Sequence, residues 1–137
     1  AVIGREVECS VLGNEHPEAS IVGEVVPDRD FYDYDSKYSQ QSTTQLYIPA
    51  PIPEGVARDI RRLAVRMFQV MGCEGYARVD FFLTPADKLI ANEVNTIPGF
   101  TSISMYPKLW EASGLPYPDL LTRILELALA RHQRRSR

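Results

Sequence analysis

Apolar and polar positions alternate, cluster and lapse along the chain in a way that marks out most of its elements. Glu6 to Leu12 alternates into a strand that ends at the turn-forming pair Gly13-Asn14. Ser20 to Val26, with Val22, Val25 and Val26, favours a second extended segment. Residues 27–44 have neither a helical nor a strand period, and are rich in Tyr, Asp, Ser and Gln. A stretch of that length without a pattern suits a lid or binding loop. Leu46 to Ile48 resumes a short strand. From Glu54 to Met71, apolar residues fall at Ile60, Leu63, Ala64, Met67, Phe68 and Met71, the stripe of an amphipathic helix, and Gly72 stands where a helix C-terminus wants glycine. Tyr76 to Leu83 and Leu89 to Asn95 read as a hairpin around Thr84–Lys88. Met105 to Ala112 and Asp119 to Arg131 read as helices, the latter opened by Pro118-Asp119. Strands, helix, strands, helices in that order predict an α+β class with helices covering a mainly antiparallel sheet.

Composition narrows the function classes. At 45% hydrophobic and 24% charged, the 137 residues can build one domain with its own core. No apolar run reaches the roughly 20 residues of a membrane span. A net charge of −3 argues against nucleic acid as the main partner. The basic tail Arg131-His132-Gln133-Arg134-Arg135-Ser136-Arg137 reads as a frayed, solvated terminus rather than a contact patch. Cys9 and Cys73 lack metal-ligand spacing and read as buried free thiols, while His16 and His132 have no catalytic company.

Chemistry concentrates on the hairpin. Strand alternation puts Arg78 and Asp80 on one face, away from Ala77, Val79 and Phe81, and puts Glu93 and Asn95 together on the return strand. A turn centred between Ala86 and Asp87 would set Asp80 opposite Glu93 and Arg78 opposite Asn95, all on one side. Opposed carboxylates repel unless a positive charge lies between them. Mg²⁺, which favours oxygen ligands, would answer that need, with Arg78 holding a phosphoryl group beside it. A surface ion-pair cluster fits the same residues equally well. The loop from Asn95 to Ser104 follows directly. Gly99 permits close backbone approach, and Ser102 and Ser104 at the start of the next helix would suit an anion, or serve as helix caps.

Ala77-Arg78-Val79-Asp80-Phe81-Phe82-Leu83 and Asn92-Glu93-Val94-Asn95-Thr96-Ile97-Pro98-Gly99-Phe100-Thr101 together resemble the C-terminal signature of D-alanine–D-alanine ligases. Residues 4–13 and Phe31-Tyr32-Asp33-Tyr34-Asp35-Ser36-Lys37-Tyr38 match that family in the same order and spacing. The resemblance runs from the first residue to about Ala130. It implies an ATP-grasp fold, of which residues 1–137 are a single partial domain, lacking counterparts of the N-terminal domain and much of the ATP-binding lobe.

It also implies ATP- and Mg²⁺-dependent joining of two D-alanines through an acyl phosphate, for peptidoglycan precursor synthesis, with Mn²⁺ as a substitute metal. Asp80, Glu93 and Asn95 then correspond to the metal ligands. Arg78 and the Gly99 N–H correspond to the groups that stabilise phosphate and oxyanion. Ser104 and the Met105 N–H correspond to the site for the second substrate's carboxylate. Glu6 corresponds to the ribose-binding glutamate, Phe31 to an aromatic near adenine, and Lys37 and Tyr38 to a loop closing over the phosphates.

The family further implies a homodimeric cytoplasmic enzyme whose C-terminal portion, alone, is expected to be inactive, with apolar faces exposed where the missing parts pack. Another ATP-grasp carboxylate–amine ligase, a non-catalytic assembly module and a metal-dependent hydrolase are the rival readings. The hydrolase lacks a histidine placed to activate water.

Overall fold

A computed structural model describes residues 2–27, 44–101 and 103–136. Five strands form one antiparallel sheet: β1 (Arg5–Gly13), β2 (Glu18–Val26), β3 (Gln45–Tyr47), β4 (Gly75–Leu83) and β5 (Leu89–Asn95), in the spatial order β3-β2-β1-β4-β5. Helix α1 (Glu54–Val70) crosses between β3 and β4, and α2 (Met105–Ala112) and α3 (Tyr117–Arg135) follow β5. The expected α+β architecture is therefore present. Strand and helix limits differ from the sequence expectation by at most a few residues, the largest extension being at the end of α3.

The two central strands divide the molecule. Val7, Cys9 and Val11 of β1 and Ala77, Val79, Phe81 and Leu83 of β4 point to one side. There they pack on Ile60, Ala64 and Phe68, which recur every four residues along α1. The apolar stripe of α1 is narrower than its sequence suggests. Leu63 is 36% exposed and Met71, just past the helix, is 67% exposed, because the helix meets a flat sheet along a single line. Gly72 adopts a left-handed φ of 66° and donates to the Gln69 carbonyl, closing the helix.

On the opposite side a second cluster joins Leu12 to Tyr106, Trp110 and Leu120. It covers only one end of the sheet. Helix α2 lies close there: a Cβ on Gly23 would come within 2.8 Å of Leu109 Cδ2 and 3.1 Å of Met105 Sδ. The remainder of that face carries the polar residues.

The basic tail is not frayed through residue 135. Helix α3 continues to Arg135, and Arg131, Arg134 and Arg135 all pair with Glu74, which immediately precedes β4. Three cations on one carboxylate tie the helix end to the sheet. The other outcome for α3 matches the expectation of apolar exposure: Leu121, Leu125 and Leu129, four residues apart, stand 40%, 65% and 63% exposed. Cys9 is buried and Cys73 half-buried, both as free thiols, and burial pushes the Cys9 thiol up to about 12. No helix among the described residues is long and apolar enough to cross a membrane.

The unequal burial along α1 gives a direct check. Phe68→Ala should lower unfolding free energy by about 3–5 kcal/mol, whereas Val70→Ala on the exposed end of the helix should change it by less than about 0.5 kcal/mol, both read from denaturant melts.

Candidate functional site

Strand register assembles the site. On the face opposite α1 one row runs from Gly23, under α2, through Glu8 and Asp80 to Glu93, and the next pairs Ser10 with Arg78 and Arg78 with Asn95. The expected pairs Asp80–Glu93 and Arg78–Asn95 are found, but by a different route. The turn is a five-residue loop in which Thr84 N–H donates to Lys88 O and Asp87 takes a left-handed φ of 55°. Next to it Leu83 faces Leu89, Phe82 faces Ile90 and Phe81 faces Ala91, one residue out of the anticipated register. An irregularity between Phe81 and Asp80 then leaves Asn92 without an opposed residue and restores the pairing. A bulge beside charged side chains re-aims them, and here it delivers Glu93 to the face that Asp80 occupies.

Arg78 is the centre of the charge cluster. Its Nε donates to Asp80 Oδ1 at 2.8 Å and its Nη2 to Asp80 Oδ2 at 2.7 Å, a two-pronged fork. Its Nη2 lies 3.8 Å from Glu93 Oε1. The Asp80 carboxylate is nearly inaccessible, whereas the Glu93 side chain is 55% exposed. The positive charge needed between the opposed carboxylates is thus supplied by the guanidinium. Among the described residues no three His, Cys, Asp or Glu side chains are grouped so that they could hold a metal ion.

A third carboxylate, Glu8, completes the cluster and was not singled out from the sequence. Its Oε2 lies 3.0 Å from Arg78 Nε, yet it receives no hydrogen bond and is shielded from solvent. Nε carries a single hydrogen, and that hydrogen points at Asp80. The parity of Glu6 and Glu8 against the apolar Val7, Cys9 and Val11 was the available signal. What could not be seen was that β1 would lie beside β4. Burial pushes the Glu8 carboxyl up to about 7 from 4.5, reinforced by the neighbouring Asp80 charge and opposed by Arg78. Glu24 makes the contrast: it is more deeply buried, but Arg5 grips both its oxygens at 2.7 Å.

The loop after β5 borders this cluster. Asn95 Oδ1 accepts from Ile97 N–H at 3.1 Å, which keeps the amide oxygen beside the strand end. Phe100 anchors the loop among Tyr76, Tyr106 and Tyr117, with ring centroids 5.6–6.1 Å apart, and Tyr117 donates its hydroxyl to the Phe100 carbonyl. This aromatic cluster was not anticipated, since its members are spread over 41 positions from Tyr76 to Tyr117.

Gly99 lies against Ser104: a Cβ there would stand 2.9 Å from Ser104 Oγ, so that hydroxyl would have to shift. Ser104 does not cap α2 with its side chain. Its hydroxyl accepts from Thr101 N–H at 3.0 Å and contacts Thr101 Oγ1 at 2.8 Å. Gly99, Ser104 and the N-terminus of α2 at Met105 therefore lie together, as expected. Glu6 sits exposed on β1, two residues from Glu8 on the same face. Phe31, Lys37, Tyr38 and Ser102 lie outside the described residues.

With this geometry in place, the comparisons with known proteins decide the family. A model described as D-ala D-ala ligase C-terminus matches residues 1–126. The chain belongs to the D-alanine–D-alanine ligase family. It is 55% identical over 134 residues to the D-alanine–D-alanine ligase of Shouchella clausii, covering 98% of this chain and 36% of that protein. It is 56% identical over 129 residues to the D-alanine–D-alanine ligase A of Escherichia coli, covering 94% and 35%. The fold superimposes on a D-alanine-D-alanine ligase from Coxiella burnetii with a TM-score of 0.86 at 46% identity, covering 99% of this chain and 35% of that one. It also superimposes on the VanG D-Ala:D-Ser ligase of Enterococcus faecalis, with a TM-score of 0.82 at 38% identity, covering 93% and 37%. The chain thus spans about a third of the length of the relatives it matches.

The strained protonation of Glu8 has a measurable consequence. A carboxyl whose folded pKa exceeds its unfolded value keeps its proton in the fold between 4.5 and about 7, so its contribution to stability falls as pH rises through that window. In the metal-free protein Glu8→Gln should therefore raise unfolding free energy at about pH 8, by as much as roughly 3 kcal/mol at 1.36 kcal/mol per pKa unit. The gain should shrink through the window and vanish near pH 4. Denaturant melts across that range read it.

Proposed function

We propose that this chain forms the metal- and phosphate-binding part of an enzyme that joins two D-alanines at the expense of ATP, through an acyl phosphate. The observation that carries this reading is the convergence of Arg78, Asp80, Glu93 and Asn95 on one uncovered sheet face beside the Gly99–Ser104 loop, in a chain of the D-alanine–D-alanine ligase family.

The donor chemistry fits a hard divalent cation. Asp80 and Glu93 offer oxygen atoms from facing positions of two strands, and Asn95 adds an amide oxygen two residues further along β5. Asp80, Glu93 and Asn95 would hold Mg²⁺ or Mn²⁺, whose chemistry is to neutralise charge during phosphoryl transfer. Arg78, always charged and planar, would grip a phosphoryl group and the oxyanion formed as amine attacks carbonyl, aided by the Gly99 N–H. Ser104 and the Met105 N–H, at the opening turn of α2, would receive the carboxylate of the second amino acid. Glu6 would hold the ribose and Phe31 the adenine. Lys37 and Tyr38 would close over the phosphates and exclude water from the reactive acyl group. In this reading the segment works only with the lobes that supply the other half of the nucleotide cleft, because orientation of both substrates depends on them.

The likeness to a D-Ala:D-Ser ligase favours one second reading, in which the attacking amino acid is D-serine. A panel of D-alanine, D-serine and D-lactate offered to the protein at its full native length, with ATP and Mg²⁺, separates the two. Phosphate release with D-alanine alone supports D-alanyl-D-alanine formation. Release only when D-serine is added supports the second reading, and no release with any pair contradicts both. In the active pairing Arg78→Lys should lower kcat by about a hundredfold, since an ammonium cannot replace the two-pronged contact.

A further inference from the structure

We propose that Glu8 is a positioning residue, one that takes over the Nε–H of Arg78 when Asp80 is engaged by a cation, and so keeps the guanidinium in the site. The inference rests on the reading of Asp80 as a metal ligand given above.

Both oxygens of Asp80 accept from Arg78, at 2.8 and 2.7 Å. A cation that draws on this carboxylate competes with the guanidinium for the same lone pairs. Arg78 must then loosen at least one prong. Loosened into a half-buried place, its Nε–H would be left without an acceptor, which is costly for a charged donor. Glu8 Oε2 lies 3.0 Å from that nitrogen and is shielded and unpartnered. A small rotation of the guanidinium transfers the hydrogen bond from Asp80 to Glu8 without moving either strand. The opposed position of Glu8 and Asp80 on β1 and β4, with Ser10 opposite Arg78, holds donor and both acceptors in register. Glu93 is a poor substitute, at 3.8 Å and largely solvated.

Other polar groups nearby lack this role. Glu24, the buried carboxylate on the other side of β1, is already matched by Arg5. The shielded, unpartnered atom besides Glu8 Oε2 among the described residues is Trp110 Nε1, a donor, which cannot accept from Arg78. Glu8 therefore has the vacancy and the distance together.

The test uses the protein at its full native length, bound to ADP, with Mn²⁺ affinity measured by electron paramagnetic resonance. Glu8→Met keeps the side-chain length and removes the acceptor, while Glu8→Gln keeps a weaker, neutral acceptor. Mn²⁺ binding should weaken roughly tenfold or more in Glu8→Met, and by less in Glu8→Gln, as a charge-assisted bond is removed or weakened. In an Arg78→Ala background the same substitutions should leave Mn²⁺ affinity unchanged, because nothing then needs a second acceptor. The Arg78 Nε–H signal in proton–nitrogen spectra should stay slow to exchange on adding Mg²⁺ to the wild type, and should turn fast in Glu8→Met.

Equal weakening in both backgrounds would overturn the proposal and make Glu8 a direct contributor to the cation's field. Unchanged affinity with Arg78 present would overturn it too, with the metal site intact. Failure of the wild-type protein to bind Mn²⁺ with ADP would overturn the metal-site reading itself, and this inference with it.

Discussion

The centre of the site depends on the antiparallel pairing of β1 with β4, which runs unbroken from Arg5–Leu83 to Gly13–Gly75. Residues opposed in such a pair share a side, and successive residues alternate. One side can therefore be apolar from Val7 to Val11, closing on Ile60, Ala64 and Phe68 of α1, while the other gathers Glu6, Glu8, Ser10, Arg78 and Asp80. A slip of β1 by one residue against β4 would turn Glu6 and Glu8 toward α1 and Val7, Cys9 and Val11 away from it. The core thus specifies the site's geometry, and the site in turn sits on the longest unbroken strand pairing in the sheet.

That placement has an electrostatic cost. Glu8 and Asp80 face each other from the two central strands, Glu93 stands on the other side of Asp80, and one guanidinium serves all three. Buried like charges are tolerated where something else gains from them, and here the unmatched Glu8 oxygen is the clearest sign. A sheet selected for stability alone would set a neutral residue at position 8. The proposed bound state, with a cation on Asp80 and Arg78 turned toward Glu8, would account for that carboxylate.

Much of this was legible in the sequence, for identifiable reasons. The hairpin face was readable because alternation is local: Arg78, Asp80, Glu93 and Asn95 announce their side by parity alone. The pairing of Asp80 with Glu93 was reached from a turn centre that the structure does not have, and the bulge at Asn92 compensated for it. Bulges leave little trace in a single sequence. Glu8 was missed because its importance lies in a non-local contact between strands separated by α1 and by residues 28–43. The aromatic anchor around Phe100 was missed for the same reason, since Tyr76 and Tyr117 meet it only after the chain has folded. The arginines of the tail looked like a solvated end because the partner that orders them, Glu74, lies some 60 residues earlier. Family resemblance reached further than periodicity did, assigning roles to Phe31, Lys37 and Tyr38, whose segment has no pattern of its own.

The most direct measurement of the central claim is a crystal structure of the full-length protein grown with Mn²⁺ and a non-hydrolysable ATP analogue, with the metal located by anomalous scattering. The account predicts a peak on the uncovered face at about 2.0–2.2 Å from oxygens of Asp80 and Glu93, with the analogue's phosphates beside Arg78. Nucleotide bound with its metal elsewhere, and the Arg78–Asp80 fork undisturbed, would contradict it.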